Sequence, residues 1–245
     1  MPQTETRFED WVAARYRELW PEIHDPAVVE PAVDVLARLA GDGPALELGI
    51  GTGRLALPLH RRGVQVHGIE ASAAMVDQLR DEPDGSDITV TIGDFATTRL
   101  AQRFALVYLV FNTITNLTTE AEQLRCFGNA AEHLVPGGAF VVETYVPELE
   151  QLPPGETRVV FASTPTHLGV EDFDPAAHLA TSHHRWILED GIASFSTTHR
   201  YVWPAELDAM ADAAGLELAH RWADWSCADF TDVSPSHVSV WRRPT

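Results

Sequence analysis

The chain contains no lysine: all 17 of its basic residues are arginine, set against 36 acidic residues for a formal net charge of −19. Without a lysine amine there is neither Schiff-base chemistry nor a Walker-type phosphate lysine. An acid excess of this size repels polyanions, which disfavours RNA and DNA as substrates and favours a small molecule. Cysteine is nearly as scarce. Cys126 and Cys227 stand far apart with no CxxC or Cys/His cluster, so a disulfide scaffold and a cysteine-based zinc site are excluded and two reduced thiols are expected. No run approaches the roughly 20 apolar residues of a membrane-spanning helix. The opening stretch, MPQTETRFEDWVAARYRELW, mixes charges and aromatics where a secretory signal has a basic start and an apolar core. A cytoplasmic protein without membrane or nucleic-acid partners is expected.

What is present fits one α/β domain over residues 1–245, with 45% apolar and 22% charged residues. Within the N-terminal segment of residues 1–40, residues 8–40 read as two helical pieces. Phe8, Trp11, Tyr16, Leu19 and Trp20 mark the face of the first, Pro21 interrupts, and the second runs from Pro26 to Ala40 before Gly41. Residues 41–146 alternate strands (ALELGI, VQVHGIE, ITVTIGD, FALVYLVFN) with helices (RLALPLHRRG, SAAMVDQLRDE), the βα repeat of a parallel sheet covered by helices on both faces. TTEAEQLRCFGNAAEHLV is a further helix, N-capped by Thr118 or Thr119 and stopped at Pro136, Gly137 and Gly138 before the strand AFVVETYV. Residues 157–203 change to short alternating segments, read as antiparallel hairpins with a turn at Glu189–Gly191. Residues 204–245 supply a closing helix, from Pro204 to Gly215, and two closing strands.

The stretch ALELGIGTGR sets Gly49, Gly51 and Gly53 directly after the first strand, where the ligand crevice of an open parallel sheet lies. The dinucleotide fingerprint G-x-G-x-x-G fails at Arg54 and survives at Ala56 only as G-x-G-x-x-A, which leaves a nicotinamide cofactor open. Glu47 favours another ligand. A carboxylate inside a buried strand needs a donor, and a cationic amino group on the ligand, direct or through water, would serve. Glu70, ending the second strand, can accept both hydroxyls of an unphosphorylated ribose. Asp94, ending the third, can accept from an adenine amine, with Phe95 packed on the base.

With E-L-G-I-G-T-G (Glu47 to Gly53), G-I-E (Gly68 to Glu70), G-D-F (Gly93 to Phe95) and L-V-P-G-G (Leu134 to Gly138) in order, the chain resembles the class I S-adenosylmethionine-dependent methyltransferases over roughly residues 40 to 145. One departure is F-A-L-V at Phe104 to Val107, where many relatives carry aspartate second. The resemblance implies a Rossmann-like, mainly parallel seven-stranded sheet with helices on both faces, an N-terminal helical lid over residues 1–40, and an antiparallel β insertion after the fifth strand. It implies S-adenosylmethionine as cofactor, with Gly49 to Gly53 around the methionine portion, Glu70 on the ribose, Asp94 on the adenine amine and Phe95 at the ring edge. Arg54, Ala71 and Phe111 join that set. It also implies methyl transfer to nitrogen or oxygen of a small molecule, as in the branch found in bacterial secondary metabolism, some of whose members methylate amino sugars. An NAD(P)-dependent oxidoreductase and a catalytically silent S-adenosylmethionine-binding partner subunit are the alternatives, and a monomer or homodimer is expected.

Acceptor-side residues are expected where strands four and five end: Asn112, Thr113 and Asn116 in FNTITN, then Glu143 and Tyr145. Tyr16 and Trp20 are expected to line the site from the lid. Glu143, His183 or His184 would serve as general base for a hydroxyl acceptor. The adjacent histidines point to opposite faces of a strand and cannot share one ion, so no metal is expected. His167, His199 and His220 carry no stronger signal.

Overall fold

The computed structural model describes residues 10–153, 155–189 and 191–245; Phe8 and Asp190 lie outside them. The N-terminal segment forms α1 (Asp10–Ala14), α2 (Tyr16–Leu19), a 3-10 turn at Pro21–His24 and α3 (Pro26–Ala40). Asp25 caps α3 by accepting from the Ala27 amide at 2.8 Å, with Pro26 in the first turn where its missing N–H costs nothing. Among the described residues no helix is long and apolar enough to cross a membrane.

The core follows as β1 (Ala45–Leu48), α4 (Ala56–Arg61), β2 (Val66–Glu70), α5 (Ala73–Asp81), β3 (Thr89–Ile92), β4 (Phe104–Leu109), α6 (Glu120–His133) and β5 (Leu134–Tyr145). After an insertion of four strands, β6 (Arg158–Ser163), β7 (His167–Asp174), β8 (Leu179–Leu188) and β9 (Gly191–Arg200), the chain closes with α7 (Pro204–Ala213), β10 (Glu217–Trp222) and β11 (Ser236–Arg242). The main sheet has seven strands in the order β10-β11-β5-β4-β1-β2-β3. Strands β1 to β5 run parallel, and β11 and β10 join antiparallel at one edge. Strand order reverses between β1 and β4, which opens a crevice at their carboxyl ends.

Alternate strand residues divide the core. Ala45, Leu106 and Val141 pack with Val33, Leu36 and Leu59 on one face, while Leu46, Val107 and Phe140 pack with Phe127, Leu207 and Trp241 on the other. Helices therefore cover both faces, as the βα alternation requires.

Two boundaries sharpen. Thr119, rather than Thr118, caps α6, in a capping box with Glu122. Pro136 to Gly138 do not precede β5 but lie inside it: Leu134 pairs with Phe104 and Ala139 with Leu106, so the intervening residues form a bulge, and the Gly137 amide donates to the Arg243 carbonyl at 2.8 Å.

The insertion is a separate four-stranded antiparallel sheet in the order β6-β7-β8-β9, with Leu188 of β8 paired to Gly191 of β9. The N-terminal segment packs against it. Val12 and Leu19 bury with Trp186 and Phe195, and Trp11 meets both rings edge-on at 6.5 and 6.4 Å.

One buried polar residue ties α6 to the crevice. The Asn129 amide nitrogen, on a fully buried side chain, donates to the carbonyls of Phe95 at 2.6 Å and Thr98 at 3.0 Å and so pins the loop that follows β3. Asn129→Leu strands both carbonyls and is expected to lower the unfolding free energy by about 1–3 kcal/mol in urea denaturation; an unchanged midpoint and slope would contradict this role.

Candidate active site

The turn after β1 places Gly49, Gly51 and Gly53 at φ of +74°, +54° and +78°. They do different work. A Cβ on Gly49 would sit 2.7 Å from Thr113 Cγ2 and one on Gly53 2.3 Å from Leu79 Cδ1, whereas nothing lies within 4 Å of the corresponding point at Gly51. Gly49 and Gly53 serve close packing; Gly51 presents bare backbone to the crevice. Its amide donates to Glu70 Oε2 at 2.9 Å, and the Ser72 amide donates to Glu70 Oε1 at 2.9 Å.

A cavity of about 770 Å³ opens over this turn. Of the cofactor-side residues expected from the sequence, Glu47, Gly49, Gly51, Arg54, Glu70, Ala71, Asp94, Phe95 and Phe111 line it. Gly53 does not, because its place is against Leu79.

Glu47 is 4% exposed, and its carboxyl accepts from the Tyr108 hydroxyl at 3.0 Å. Burial pushes its pKa up to about 8, against the opposing pull of Tyr108 and Arg54. The Arg54 guanidinium donates to the Ile23 carbonyl at 3.2 Å and stands 5.3 Å over the Phe111 ring. Asp94 Oδ1 accepts from the Ala96 amide at 2.8 Å.

Phe111 and Asn112 follow β4 with φ of +54° and +59°, a conformation that non-glycine residues hold only when their surroundings impose it. Here Glu143 imposes it. Its Oε2 accepts from the Phe111 amide at 2.9 Å, and its Oε1 accepts from Trp225 Nε1 at 2.8 Å. Asn112 Oδ1 in turn accepts from the Tyr145 amide at 2.9 Å.

Asn112, Thr113, Asn116, Tyr145, Tyr16 and Trp20 all line the cavity. Tyr16 packs on Trp20 at 5.0 Å, and burial pushes its phenol up to about 12. Trp20 meets His184 edge-on at 5.9 Å and Trp186 at 5.4 Å.

The three expected bases fare differently. Glu143 is absent from the cavity wall, since its oxygens are occupied in bracing the Phe111 turn. His183 is also absent, because it projects from the opposite face of the insertion sheet toward Ser196 and Asp172. His184 reaches the cavity, but burial, with neighbouring His167, brings its pKa down to about 4, and it lies stacked on Trp186 at 4.8 Å. It forms neutral wall.

The sequence reading did not select Glu171, Ser182, Thr197 and His199, which line the far half of the cavity from the insertion. A signal existed. A turn at Glu189–Gly191 sets Leu188 opposite Gly191, and counting back places His184 opposite Phe195 and Ala180 opposite His199, so both histidines share one face.

The sequence profile of a methyltransferase domain matches residues 45–138. The chain is 40% identical to the CcbJ methyltransferase of Streptomyces caelestis, over 98% of this chain and 99% of that one, with a TM-score of 0.88. It belongs to the class I S-adenosylmethionine-dependent methyltransferases. This methyltransferase is also 26% identical over 245 residues to the cypemycin N-terminal methyltransferase of a Streptomyces species, covering 91% of this chain and 98% of that protein. Over 111 residues it is 31% identical to the dTDP-3-amino-3,4,6-trideoxy-alpha-D-glucopyranose N,N-dimethyltransferase of Streptomyces venezuelae, covering 45% of this chain and 46% of the relative.

Its cofactor is therefore S-adenosylmethionine and not a nicotinamide dinucleotide. The wall fits that molecule. A buried acid with one hydrogen bond, an arginine, and two further strand-end acids surround exposed glycine backbone, matching an amino acid zwitterion joined to an uncharged ribose and an adenine.

Because Glu143 is a brace, Glu143→Ala is expected to lower the unfolding free energy of the methyltransferase by about 1–3 kcal/mol in urea denaturation, through the loss of two bonds to an ionised acceptor. Wild-type stability would contradict the assignment.

Proposed function

We propose that the chain methylates a nitrogen of a small-molecule acceptor in bacterial secondary metabolism, acting in the cytoplasm as a monomer or homodimer, without nucleic-acid or membrane partners. The observation that carries this reading is the two-sided cavity: strand ends of the parallel sheet form one half, and a polar face of the insertion forms the other. A volume near 770 Å³ lies within the range of about 300–1,000 Å³ usual for small-ligand sites, and so suits a cofactor beside a compact acceptor. The nitrogen preference draws on the two curated relatives, which are named as an N-terminal methyltransferase and an N,N-dimethyltransferase.

On this reading Glu47 faces the cofactor's ammonium and Arg54 its carboxylate. Glu70 takes the ribose hydroxyls, Asp94 the adenine amine, and Ala71 and Phe95 flank the base. Phe111, Asn112, Thr113, Asn116 and Tyr145 surround the reacting methyl and the acceptor. When bound, S-adenosylmethionine supplies an electrophilic methyl group. The protein positions the acceptor in line with it and excludes water. The described residues act as one unit, with residues 10–40 as the cover and strands β6 to β9 as the acceptor wall. Labelled S-adenosylmethionine incubated with a panel of amines and phenols tests the reading: label in amines supports it, and label confined to phenols overturns the nitrogen assignment.

The Glu47 role has a pH signature. Below about pH 8 the buried carboxyl is protonated and neutral, and a bound ammonium favours its ionised form. Ligand binding there must release a proton. Affinity for S-adenosylhomocysteine is expected to rise from pH 6 to pH 8, by at most about tenfold per unit, and to level off above it. Glu47→Gln should flatten that slope in calorimetry; a wild-type slope in the variant would remove Glu47 from the cofactor's amine.

A further inference from the structure

The insertion sheet turns toward the cavity a face that carries a half-buried carboxylate, Glu171. Glu171 on β7 lies opposite Ser182 on β8, and Ala180 on β8 opposite His199 on β9, so Glu171, Ser182 and His199 share that face. Ser182 Oγ donates to Glu171 Oε1 at 2.7 Å, and His199 Nε2 lies 3.2 Å from the same oxygen. Burial alone would raise the Glu171 pKa, but the donors His199 and Ser182 hold it below the ordinary glutamate value. Beside this pair the Tyr145 hydroxyl is buried without a hydrogen-bond partner among the described residues, and its ring meets His199 edge-on at 6.3 Å.

An ionised carboxylate is expensive to keep out of water unless something cationic meets it. A proton on His199 Nε2 facing Glu171 leaves the lone pair on Nδ1, to which no group among the described residues is hydrogen-bonded. A carboxylate that orients an imidazole in this way prepares it to accept a proton. Methyl transfer to an amine that arrives protonated needs a group to take its proton. An alkylamine with a pKa near that of a lysine side chain is neutral in only roughly one molecule in a thousand at pH 7, and the ammonium form has no lone pair to attack with.

We propose that Glu171 and His199 form the acceptor amine's subsite: the carboxylate selects a basic alkylamine that arrives as its ammonium ion, and His199 Nδ1 takes the proton. This rests on the N-methylation reading above. One N–H bond breaks as the proton passes to the imidazole. The freed nitrogen pair forms a bond to the cofactor's methyl carbon while the carbon–sulfur bond breaks, its electrons remaining on sulfur. The products are S-adenosylhomocysteine, the methylated ammonium ion and an imidazolium that returns its proton to water. The titratable groups facing His199 are Glu171 from β7, His184 from β8 and Tyr145 from β5; the 113–116 turn, which also packs on β9, brings uncharged residues.

The test uses the full chain labelled with nitrogen-15 histidine and saturated with S-adenosylhomocysteine, with piperidine as the cationic probe and cyclohexanol as its neutral counterpart. Imidazole spectra are recorded at pH 7, and the His199 signals are assigned by their loss in His199→Gln. The expected result is an Nε2–H tautomer for free His199 that shifts with piperidine and not with cyclohexanol. In Glu171→Gln the tautomer preference should disappear and piperidine affinity should fall at least tenfold, while affinity for S-adenosylhomocysteine stays within twofold. Equal response to both probes, or none to piperidine, overturns the proposal on the wild-type protein alone. Calorimetry on the same sample separates the two levels: no binding of S-adenosylhomocysteine would remove the methyl-transfer reading itself.

Discussion

The carboxylate of Glu70, by accepting from the Gly51 and Ser72 amides at once, joins the end of β2 to the turn after β1 and to the start of α5, and the geometry of the cofactor wall depends on that junction. It can form because Gly51 adopts a left-handed φ and because β1 and β2 run parallel in register, with Glu47 opposite Gly68. The same junction sets the carboxylate of Glu70 near the buried acid Glu47, whose pKa burial raises to about 8. Arg54 is the counterweight. Its side chain reaches the Ile23 carbonyl as well as the Phe111 ring, so the cation that balances the wall also fastens the N-terminal segment over it.

That segment spans two bodies of structure. Arg17 pairs with Glu82 beyond α5, while Trp11 and Trp20 lie edge-on against Trp186 of the insertion. The cover therefore packs against the insertion sheet above the strand ends, and its aromatic rings form one side of the cavity between them. In-line transfer benefits from this arrangement, because orienting two bound reactants and excluding water lower the barrier without any covalent participation by the protein. On the proposed reading the insertion supplies the acceptor side of the cavity and the parallel sheet its cofactor side.

Sequence reading was most informative where chemistry and chain neighbours coincide. The boundaries of α3 at Pro26 and Ala40 follow from an aspartate cap, a first-turn proline and a terminal glycine, all local. The strand-end acids Glu70 and Asp94 were legible for the same reason: a parallel sheet fixes where its strands end relative to the crevice. Glu143 was misread because its partners are remote. An acid at the exit of an apolar strand looks like a mouth-facing group until Trp225, 82 residues away in sequence, takes one oxygen and Phe111 the other. His183 and His184 were correctly assigned to opposite faces, but which face meets the cavity depends on how the insertion docks. His199 carries no signal of its own in the sequence because its meaning comes from Glu171, two strands across the sheet, and only the register of two hairpins unites them.

On the proposed reading the methyl group is delivered between the Phe111–Tyr145 region and the insertion face. Nuclear Overhauser contacts from the carbon-13 methyl of bound S-adenosylmethionine test it most directly. Cross-peaks to the ring protons of Phe111 and Tyr145 are expected; cross-peaks confined to Met75 and Phe95, with none to Tyr145, would contradict this placement.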